Sequence, residues 1–380
     1  MAETVTWEVL RELAEFGAEK GCAISLYVNL DPSDSPTADD ADTRISSLIA
    51  EAERSQGANS SHLTHEQRVG LKADFERLTN YFENEFSRDG TQGVAIFLAG
   101  LDNAWRVLSL GEPVPDKVRV AREFYLAPLV PLIGRGDGAI VTVVGRERGQ
   151  LFRLQNGQLV EIADQTEEAP GRHDQGGWSQ ARFQRHIEKL VAEHLRGVAD
   201  ELDRHLRRLR TPKIVIVASE ETHSELENLL SSEVRHAVVG WRTAEAHASP
   251  AALLELARPL LDEARAQEEA ATIDRWREEV GRGGRASSGW SETLEAASDA
   301  RVEVLIYQDG ADHSAWQCPA CGRLALEGKS CPLDGTAMEE RDDGLDLAVH
   351  QTLAHGGTVW AVTSHRDLEP VEGIGALLRY

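Results

Sequence analysis

The sequence predicts an α/β protein of three domains, each a mixed sheet with packed helices, with a zinc-ribbon-like insert in the last domain. Short runs rich in β-branched and aromatic residues alternate with longer stretches of helical periodicity. The 380 residues are enough for two or three domains of ordinary size. Three cysteines close together near the C-terminal end indicate the insert.

The first predicted domain covers residues 1–125. The run C-A-I-S-L-Y-V-N-L has the composition of a buried strand, and the segment before it has the spacing of an amphipathic helix. Five aspartates in the next thirteen residues predict a solvated loop over residues 31–43. The predicted helices cover residues 7–19, 44–54 and 65–84, and the predicted strands cover residues 22–30, 93–100 and 104–110.

The second predicted domain covers residues 126–265. Three strands joined by glycine-containing turns are expected from residue 139, and Q-N-G-Q is a strong hairpin signal between the second and the third. The apolar run K-I-V-I-V-A-S is typical of a buried parallel strand. The remaining predicted elements are helices over residues 179–208, 220–230 and 250–280, and a strand over residues 236–241.

The third predicted domain covers residues 266–380. It is expected to open with a glycine-rich loop and to carry its cysteine insert between a strand and a helix. The loop contains G-R-G-G-R but lacks the phosphate-loop pattern, which argues against nucleotide binding. The predicted order is loop 281–290, helix 291–300, strand 301–310, insert 316–337, helix 345–356, strand 358–364 and a terminal strand or turn over residues 373–380.

The net charge is −24, from 64 acidic and 40 basic residues. This balance argues against a general nucleic-acid binder, because neutralising phosphates requires a basic surface. A local basic face remains open, since residues 182–213 carry nine basic and five acidic side chains; the alternative is a solvated helix face with internal ion pairs. No apolar run is long enough to span a membrane, and no basic leader is seen at the start, so a cytoplasmic location is expected.

The cysteine insert contains two similar knuckles. The first reads C-P-A-C-G and supplies Cys318 and Cys321; the second reads C-P-L-D-G and supplies Cys331 and Asp334. Asp334 stands where a fourth cysteine is usual, and His313 is a nearby alternative ligand. Three thiolates and one carboxylate predict a structural Zn²⁺ site. The alternative is a ribbon that folds without metal.

The stretch G-R-H-D-Q-G-G-W-S-Q-A-R-F, residues 171–183, precedes the long helix of the second domain. Two glycines beside a tryptophan suit a tip that approaches RNA closely, because glycine allows backbone conformations that a side chain would block. The alternative is a helix-entry turn with a surface tryptophan.

Three stretches together resemble the class I release factors of archaea and eukaryotes and their relative Pelota. Residues 372–380, E-G-I-G-A-L-L-R-Y, are similar to the end of those proteins, and residues 284–309 are similar to the start of their C-terminal domain. The loop resembles their H-G-R-G-G-Q-S-x-x-R-F motif. The residues that match this motif in register are His173, Gly176, Gly177, Ser179, Arg182 and Phe183.

The resemblance implies a first domain that reaches the decoding centre, a middle domain that mimics a tRNA acceptor arm, and a C-terminal domain that binds a partner, often a translational GTPase. Two departures point to the bacterial branch of the family, which includes the hibernation factor Balon. Trp178 stands at the position of the catalytic glutamine, and residues 55–64 lack the Asn-Ile-Lys-Ser stop-codon motif.

The branch implies occupation of the A site of the bacterial ribosome, in hibernation or stress protection, rather than peptide release. The expected RNA-binding residues are His173, Gln175, Gly176, Gly177, Trp178, Ser179, Gln180, Arg182 and Arg185. Two alternatives stay open: a peptidyl-tRNA hydrolase in ribosome rescue that uses Gln175 or Gln180, and a non-ribosomal adaptor that retains the scaffold.

Overall fold

The computed structural model describes residues 5–34, 37–59, 63–88, 91–133, 138–155, 157–166, 180–208, 213–244, 248–363 and 366–380. The chain divides into two compact units. The first unit combines an N-terminal segment, residues 1–133, with a C-terminal segment, residues 266–380, and the middle unit covers residues 134–265. Both units contain helices packed on sheets, three sheets in the first unit and one in the middle unit among the described residues, which confirms the mixed α/β class.

The N-terminal segment is a four-stranded sheet covered by helices. Its strands lie in the order β3-β2-β1-β4 and every neighbouring pair is antiparallel, so the expectation of a mixed sheet is wrong here. Two helices join β1 to β2 and return the chain to the end of the sheet from which it left. The elements are α1 (Trp7–Ala14), β1 (Ala23–Asn29), α2 (Ala38–Asn59), α3 (His65–Asn84), β2 (Gly93–Ala99), β3 (Ala104–Leu110) and β4 (Lys117–Ala121).

Two predictions for this segment need correction. Helix α2 begins at Ala38, inside the stretch predicted as an acidic loop. The Thr37 hydroxyl accepts a hydrogen bond from the Asp40 amide at 3.1 Å and so caps the helix. The negative charges of Asp39 and Asp40 in the first turn interact favourably with the helix dipole and stabilise this end of the helix. The sequence does not predict strand β4, because it is short, half-buried rather than buried, and carries two basic residues among its five.

The middle unit is a mixed five-stranded sheet between two helical layers, in the order β7-β6-β5-β8-β9. The three predicted first strands and the hairpin between Gln155 and Gln158 are confirmed. The elements are β5 (Ile140–Val144), β6 (Gly149–Gln155), β7 (Gln158–Asp164), α4 (Gln180–Leu206), β8 (Ile214–Ala218), α5 (Glu220–Glu227), α6 (Ser232–Ala237), β9 (Val238–Arg242) and α7 (Pro250–Gly281).

The two central strands of the middle unit separate two apolar cores. Alternate residues of β8 point to opposite faces, so Ile214 and Ile216 pack with α4, whereas Val215 and Val217 pack with the first half of α7. This arrangement holds α4 by one buried face and leaves its opposite face to solvent.

The C-terminal segment contains a mixed sheet in the order β10-β16-β11-β15 and a small sheet in the order β13-β12-β14. The small sheet carries the cysteine insert. The elements are β10 (Ala286–Ser288), α8 (Gly289–Ser298), β11 (Val302–Gln308), β12 (Ala315–Gln317), β13 (Leu324–Ala325), β14 (Glu339–Arg341), α9 (Gly344–Ala354), β15 (Thr358–Val362) and β16 (Ile374–Leu378).

The N-terminal and C-terminal segments share one continuous apolar core. Leu10 of α1 and Tyr27 of β1 belong to the same buried cluster as Leu305 of β11 and Val349 of α9, and all four are at most 2% exposed. The first unit is therefore completed only when both ends of the chain are present. Within the described ranges, we find no helix with the length and apolarity that a bilayer crossing requires.

Candidate functional site

The two cysteine knuckles have the same backbone conformation. The Gly322 amide donates to the Cys318 carbonyl and the Gly335 amide donates to the Cys331 carbonyl, both at 2.9 Å. The two glycines have φ values of +75° and +76°, a region that favours glycine. Each knuckle therefore turns its second ligand back toward its first.

The ligand atoms of Cys318, Cys321, Cys331 and Asp334 all lie within 4.8 Å of one another. The Cys321 and Cys331 sulfurs are 3.6 Å apart, and the Cys318 sulfur is 3.7 and 3.8 Å from the Asp334 carboxylate oxygens. Tetrahedral zinc with ordinary bond lengths requires edges of about 3.6–3.8 Å between such atoms. The group can hold a metal ion, and three thiolates with one carboxylate fit zinc better than magnesium or calcium.

Asp334 takes the fourth position of this group. The Thr336 amide donates to its Oδ1 at 2.9 Å and holds the pKa of the carboxyl group at about 2, so the side chain is ionised as a ligand requires. The alternative ligand His313 lies outside the group, is exposed, and has its Nδ1 2.7 Å from the Ser314 carbonyl oxygen.

Most of the predicted RNA-contacting residues lie outside the part of the chain that the structure describes. The loop residues His173, Gln175, Gly176, Gly177, Trp178 and Ser179 lie outside the described part of the chain. Gln180 is the first residue of α4 and Arg182 lies in its first turn, but their side chains are also outside the description. Of the predicted RNA-binding residues, Arg185 is the one whose side chain the structure describes. It is exposed on α4.

Helix α4 and the residue after it present a basic stripe to solvent, which we define as Arg185, Lys189 and Arg196 on the helix and Arg207 directly beyond its end. At 100° per residue, these four side chains fall within about 40° of arc, along about 33 Å of helix. All four are exposed. Lys189 pairs with Glu193 at 3.4 Å, and the other three have no carboxylate oxygen within 4.0 Å among the described residues.

The acidic charge of the protein is unevenly distributed. Residues 134–265 contain 21 acidic and 18 basic side chains, a net charge of −3. The remaining residues, which form the first unit, contain 43 acidic and 22 basic side chains, a net charge of −21. The net charge of −24 therefore gives little information about the surface around α4.

The first unit contains a polar cluster that the sequence reasoning missed. We call it the seam, because it joins Arg119 of the N-terminal segment to Arg341, Asp343, Asp346 and His350 of the C-terminal segment. The Asp343 carboxylate accepts from Arg119 at 2.8 Å and from Arg341 at 3.0 Å. Burial raises the pKa of Asp346 to about 7 and lowers that of His350 to about 4.

Asp346 bonds directly across the seam. Its Oδ1 accepts from the Leu126 amide at 2.7 Å and from the Ala127 amide at 2.8 Å. A cavity of about 30 Å³ beside it is lined by all five seam residues. Asp343 Oδ1 and His350 Nε2 are buried without a hydrogen-bond partner among the described residues, and the cavity has room for one water between such groups. No local motif marks these residues, since the contacts of Asp343 and Asp346 across the seam are to groups more than 200 positions away.

Comparison with known proteins finds a family model that matches the middle of the chain and relatives that align along it. Residues 125–261 match the model of "Bacterial archaeo-eukaryotic release factor family 10". The peptide chain release factor subunit 1 of Archaeoglobus fulgidus is 25% identical over 414 residues, covering 100% of this chain and 98% of the relative. The protein of the same name from Methanocaldococcus jannaschii is 25% identical over 307 residues, covering 70% and 72%.

Solved structures of the same group also align. The archaeal translation termination factor aRF1 covers 98% of this chain and 96% of its own at 15% identity, with a TM-score of 0.27. Pelota from Archaeoglobus fulgidus covers 76% of this chain and 79% of its own at 16% identity, with a TM-score of 0.35.

The predicted resemblance to the archaeo-eukaryotic release-factor and Pelota-like family is confirmed. The bacterial family model matches residues 125–261, and the archaeal relatives align with the rest of the chain at 25% identity.

Proposed function

We propose that the chain is a ribosome-binding, release-factor-like protein that occupies the A site of the bacterial ribosome, with residues 176–178 near the peptidyl-transferase centre. The observation that carries the proposal is the family match over residues 125–261, because this segment contains both the Gly-Gly-Trp loop and helix α4. The relatives that align along the chain are named peptide chain release factors, which supports a function in translation and in the cytoplasm.

The charge of the middle unit supports an RNA contact. Arg185 and Arg196 of the basic stripe have no carboxylate partner among the described residues, so phosphate oxygens can pair with their guanidinium groups. Arg207 already interacts electrostatically with the Glu233 carboxylate. The acidic side chains concentrate in the other unit. An overall acidic protein can therefore bind RNA through α4, with its acidic surface turned to solvent or to protein.

Trp178 favours protection of the ribosome over peptide release. An indole has one hydrogen-bond donor and no acceptor, so it cannot position a water molecule as a glutamine carboxamide does. Its aromatic face can instead stack on RNA bases. A loop that fills the peptidyl-transferase centre without cleaving peptidyl-tRNA suits hibernation or stress protection, the role of Balon in the bacterial branch.

The metal group has a structural role in this proposal. Cys318, Cys321, Cys331 and Asp334 would hold Zn²⁺, and a structural zinc site supplies folding free energy to a small sheet with little core of its own. We place the docking surface for a translational GTPase on the C-terminal segment that carries this insert, as the family resemblance implies.

Co-sedimentation with vacant bacterial ribosomes, at low and at physiological salt, tests the proposal. The test variant is Trp178→Ala combined with Arg182→Ala, and Arg366→Ala is the matched control, because its side chain is 85% exposed and lies outside the middle unit. We expect the wild-type protein and the control to pellet with ribosomes at physiological salt, and the test variant to pellet much less.

Two outcomes would favour the alternatives. If no protein pellets at either salt concentration, the ribosomal function is wrong and a non-ribosomal adaptor becomes the better reading. If the bound protein releases labelled peptide from peptidyl-tRNA, and Gly176→Ala with Gly177→Ala abolishes that release, the protein is a hydrolase in ribosome rescue.

A further inference from the structure

The seam depends on a carboxylate that needs both of its cationic partners. The Asp343 side chain is only 5% exposed and lies between Arg119 and Arg341. A buried carboxylate that loses a partner is left with an uncompensated charge, which is strongly destabilising. The position of Arg341 therefore affects the contact that Asp343 makes with the N-terminal segment.

Arg341 is fixed by the metal insert. It is the last residue of β14, which pairs with β12, and the residue after β12 is the metal-ligand candidate Cys318. The Arg341 guanidinium donates to the Gln317 side-chain oxygen at 2.9 Å. Movement of the first knuckle is therefore transmitted to the seam through one strand pair and one side-chain hydrogen bond.

On one side the insert packs against the first unit, because Leu324 of β13 is buried in the core of that unit and its amide donates to the Ser298 hydroxyl at 2.8 Å. The ligand side of the insert has little apolar core of its own. Its buried apolar cluster consists of Cys318, Cys331 and Met338, with Trp316 and Ala325 packed against it. Two of the three fully buried members are themselves metal-ligand candidates. Bound metal would supply folding free energy that so small an apolar core lacks.

We propose that metal bound by Cys318, Cys321, Cys331 and Asp334 controls how tightly the N-terminal and C-terminal segments hold together at the seam. The inference rests on the proposed metal centre. With metal bound, β14 holds Arg341 against Asp343, and α9 presents Asp346 to the Leu126 and Ala127 amides. Without metal, the strand pair loosens and the two segments separate locally while the middle unit stays folded.

Hydrogen exchange at the Leu126 and Ala127 amides tests this directly, because both donate across the seam to Asp346. The experiment compares full-length protein reconstituted with Zn²⁺ and protein stripped with a chelator, with zinc content measured on both. We expect exchange at these two amides to accelerate by about tenfold or more on metal removal, since both amides lose the buried Asp346 side chain that accepts their hydrogen bonds. The amides of β8 in the middle unit should not change.

An Arg341→Ala variant separates the seam from the metal. It keeps every metal ligand, so it should bind zinc normally and still show the faster exchange at Leu126 and Ala127. Unchanged exchange after verified removal of zinc overturns the inference and leaves the metal centre standing. Protein that neither contains nor takes up zinc overturns both the inference and the proposed centre.

Discussion

Replacing Asp346 with asparagine should remove a specific pH dependence of stability. Asp346 is fully buried, and that burial raises the pKa of its carboxyl group to about 7, against the opposing effect of two backbone donors. In the unfolded chain, an aspartate ionises near pH 4. Between about pH 4 and pH 7 the folded protein therefore holds a proton that the unfolded chain has released. The free energy of unfolding must fall as pH rises through this window.

The size of the effect follows from the two pKa values. The pKa of Asp346 differs by roughly three units between the folded and the unfolded state, and each pKa unit corresponds to about 1.4 kcal/mol. Ionisation of Asp346 therefore lowers the free energy of unfolding by about 4 kcal/mol near pH 8 relative to pH 4. Neutral asparagine has nearly the same shape as a protonated aspartate, and its carbonyl can accept from the same two amides. The variant should match the wild type near pH 4 and exceed it by up to about 4 kcal/mol near pH 8.

The comparison with the wild type is needed because His350 acts in the opposite direction. Burial lowers the pKa of its imidazole to about 4, so its contribution to stability is lost as pH falls from about 6.5 toward 4. The two trends nearly cancel in the wild-type curve below pH 6.5. The difference between wild type and variant isolates Asp346, since all other groups are common to both proteins.

Urea unfolding at pH 4, 5, 6, 7 and 8, followed by tryptophan fluorescence and circular dichroism, measures this difference. Asp342→Asn is a control that should shift the free energy of unfolding in the opposite direction. The Arg119 hydrogen bond lowers the pKa of Asp342, so the loss of this carboxylate should reduce stability at neutral pH and have little effect at acid pH. Parallel curves for the wild type and the Asp346→Asn protein would refute the reasoning about burial.

Three further predictions concern other parts of the chain. Replacing Arg185, Lys189 and Arg196 with alanine should weaken ribosome binding and reduce the slope of log affinity against log salt concentration by about 2 to 3. Co-sedimentation over a range of salt concentrations measures this slope. An unchanged slope would mean that the stripe does not contact phosphates. Asp334→Ala should lower zinc content and melting temperature, whereas Asp334→Cys should retain both; equal zinc in wild type and Asp334→Ala, by elemental analysis, would remove the carboxylate from the ligand set. Leu202→Ala should cost about 2–5 kcal/mol in chemical unfolding, because Leu202 is 0% exposed on the buried face of α4. A cost below about 1 kcal/mol would contradict the packing described.

The sequence predicts elements best where the periodicity is long and strong. The helix expected over residues 179–208 is α4, Gln180–Leu206, because its apolar face repeats from Ile187 to Leu206, over about five turns. The strand expected over residues 213–219 is β8, since a continuous β-branched run can be buried on both faces. The four metal-ligand candidates could be identified from spacing alone, because both knuckles are local turns.

Prediction fails where long-range contacts decide the structure. Strand β10 is three residues long in a predicted glycine-rich loop, and it exists because β16 pairs with it from almost 90 positions away. Asp343 and Asp346 look like surface acids at a helix start, and only the fold places them against Arg119 and the Leu126 amide. The residues of the Gly-Gly-Trp loop remain a prediction, because their role depends on an RNA surface rather than on this chain.

The shared core of the first unit also sets the order in which the protein can fold during synthesis. The N-terminal segment leaves the ribosome first, yet Leu10 and Tyr27 are buried against residues near the other end of the chain. At roughly 5–20 residues per second, about 10–50 s pass before the last 250 residues are added. During that interval the middle unit can complete its own sheet, while the apolar surface that the N-terminal segment later buries against the C-terminal segment stays exposed to solvent. Chaperones that bind nascent chains would therefore meet this protein at its N-terminal segment, and the last strand made, β16, completes the C-terminal sheet beside β10 and β11.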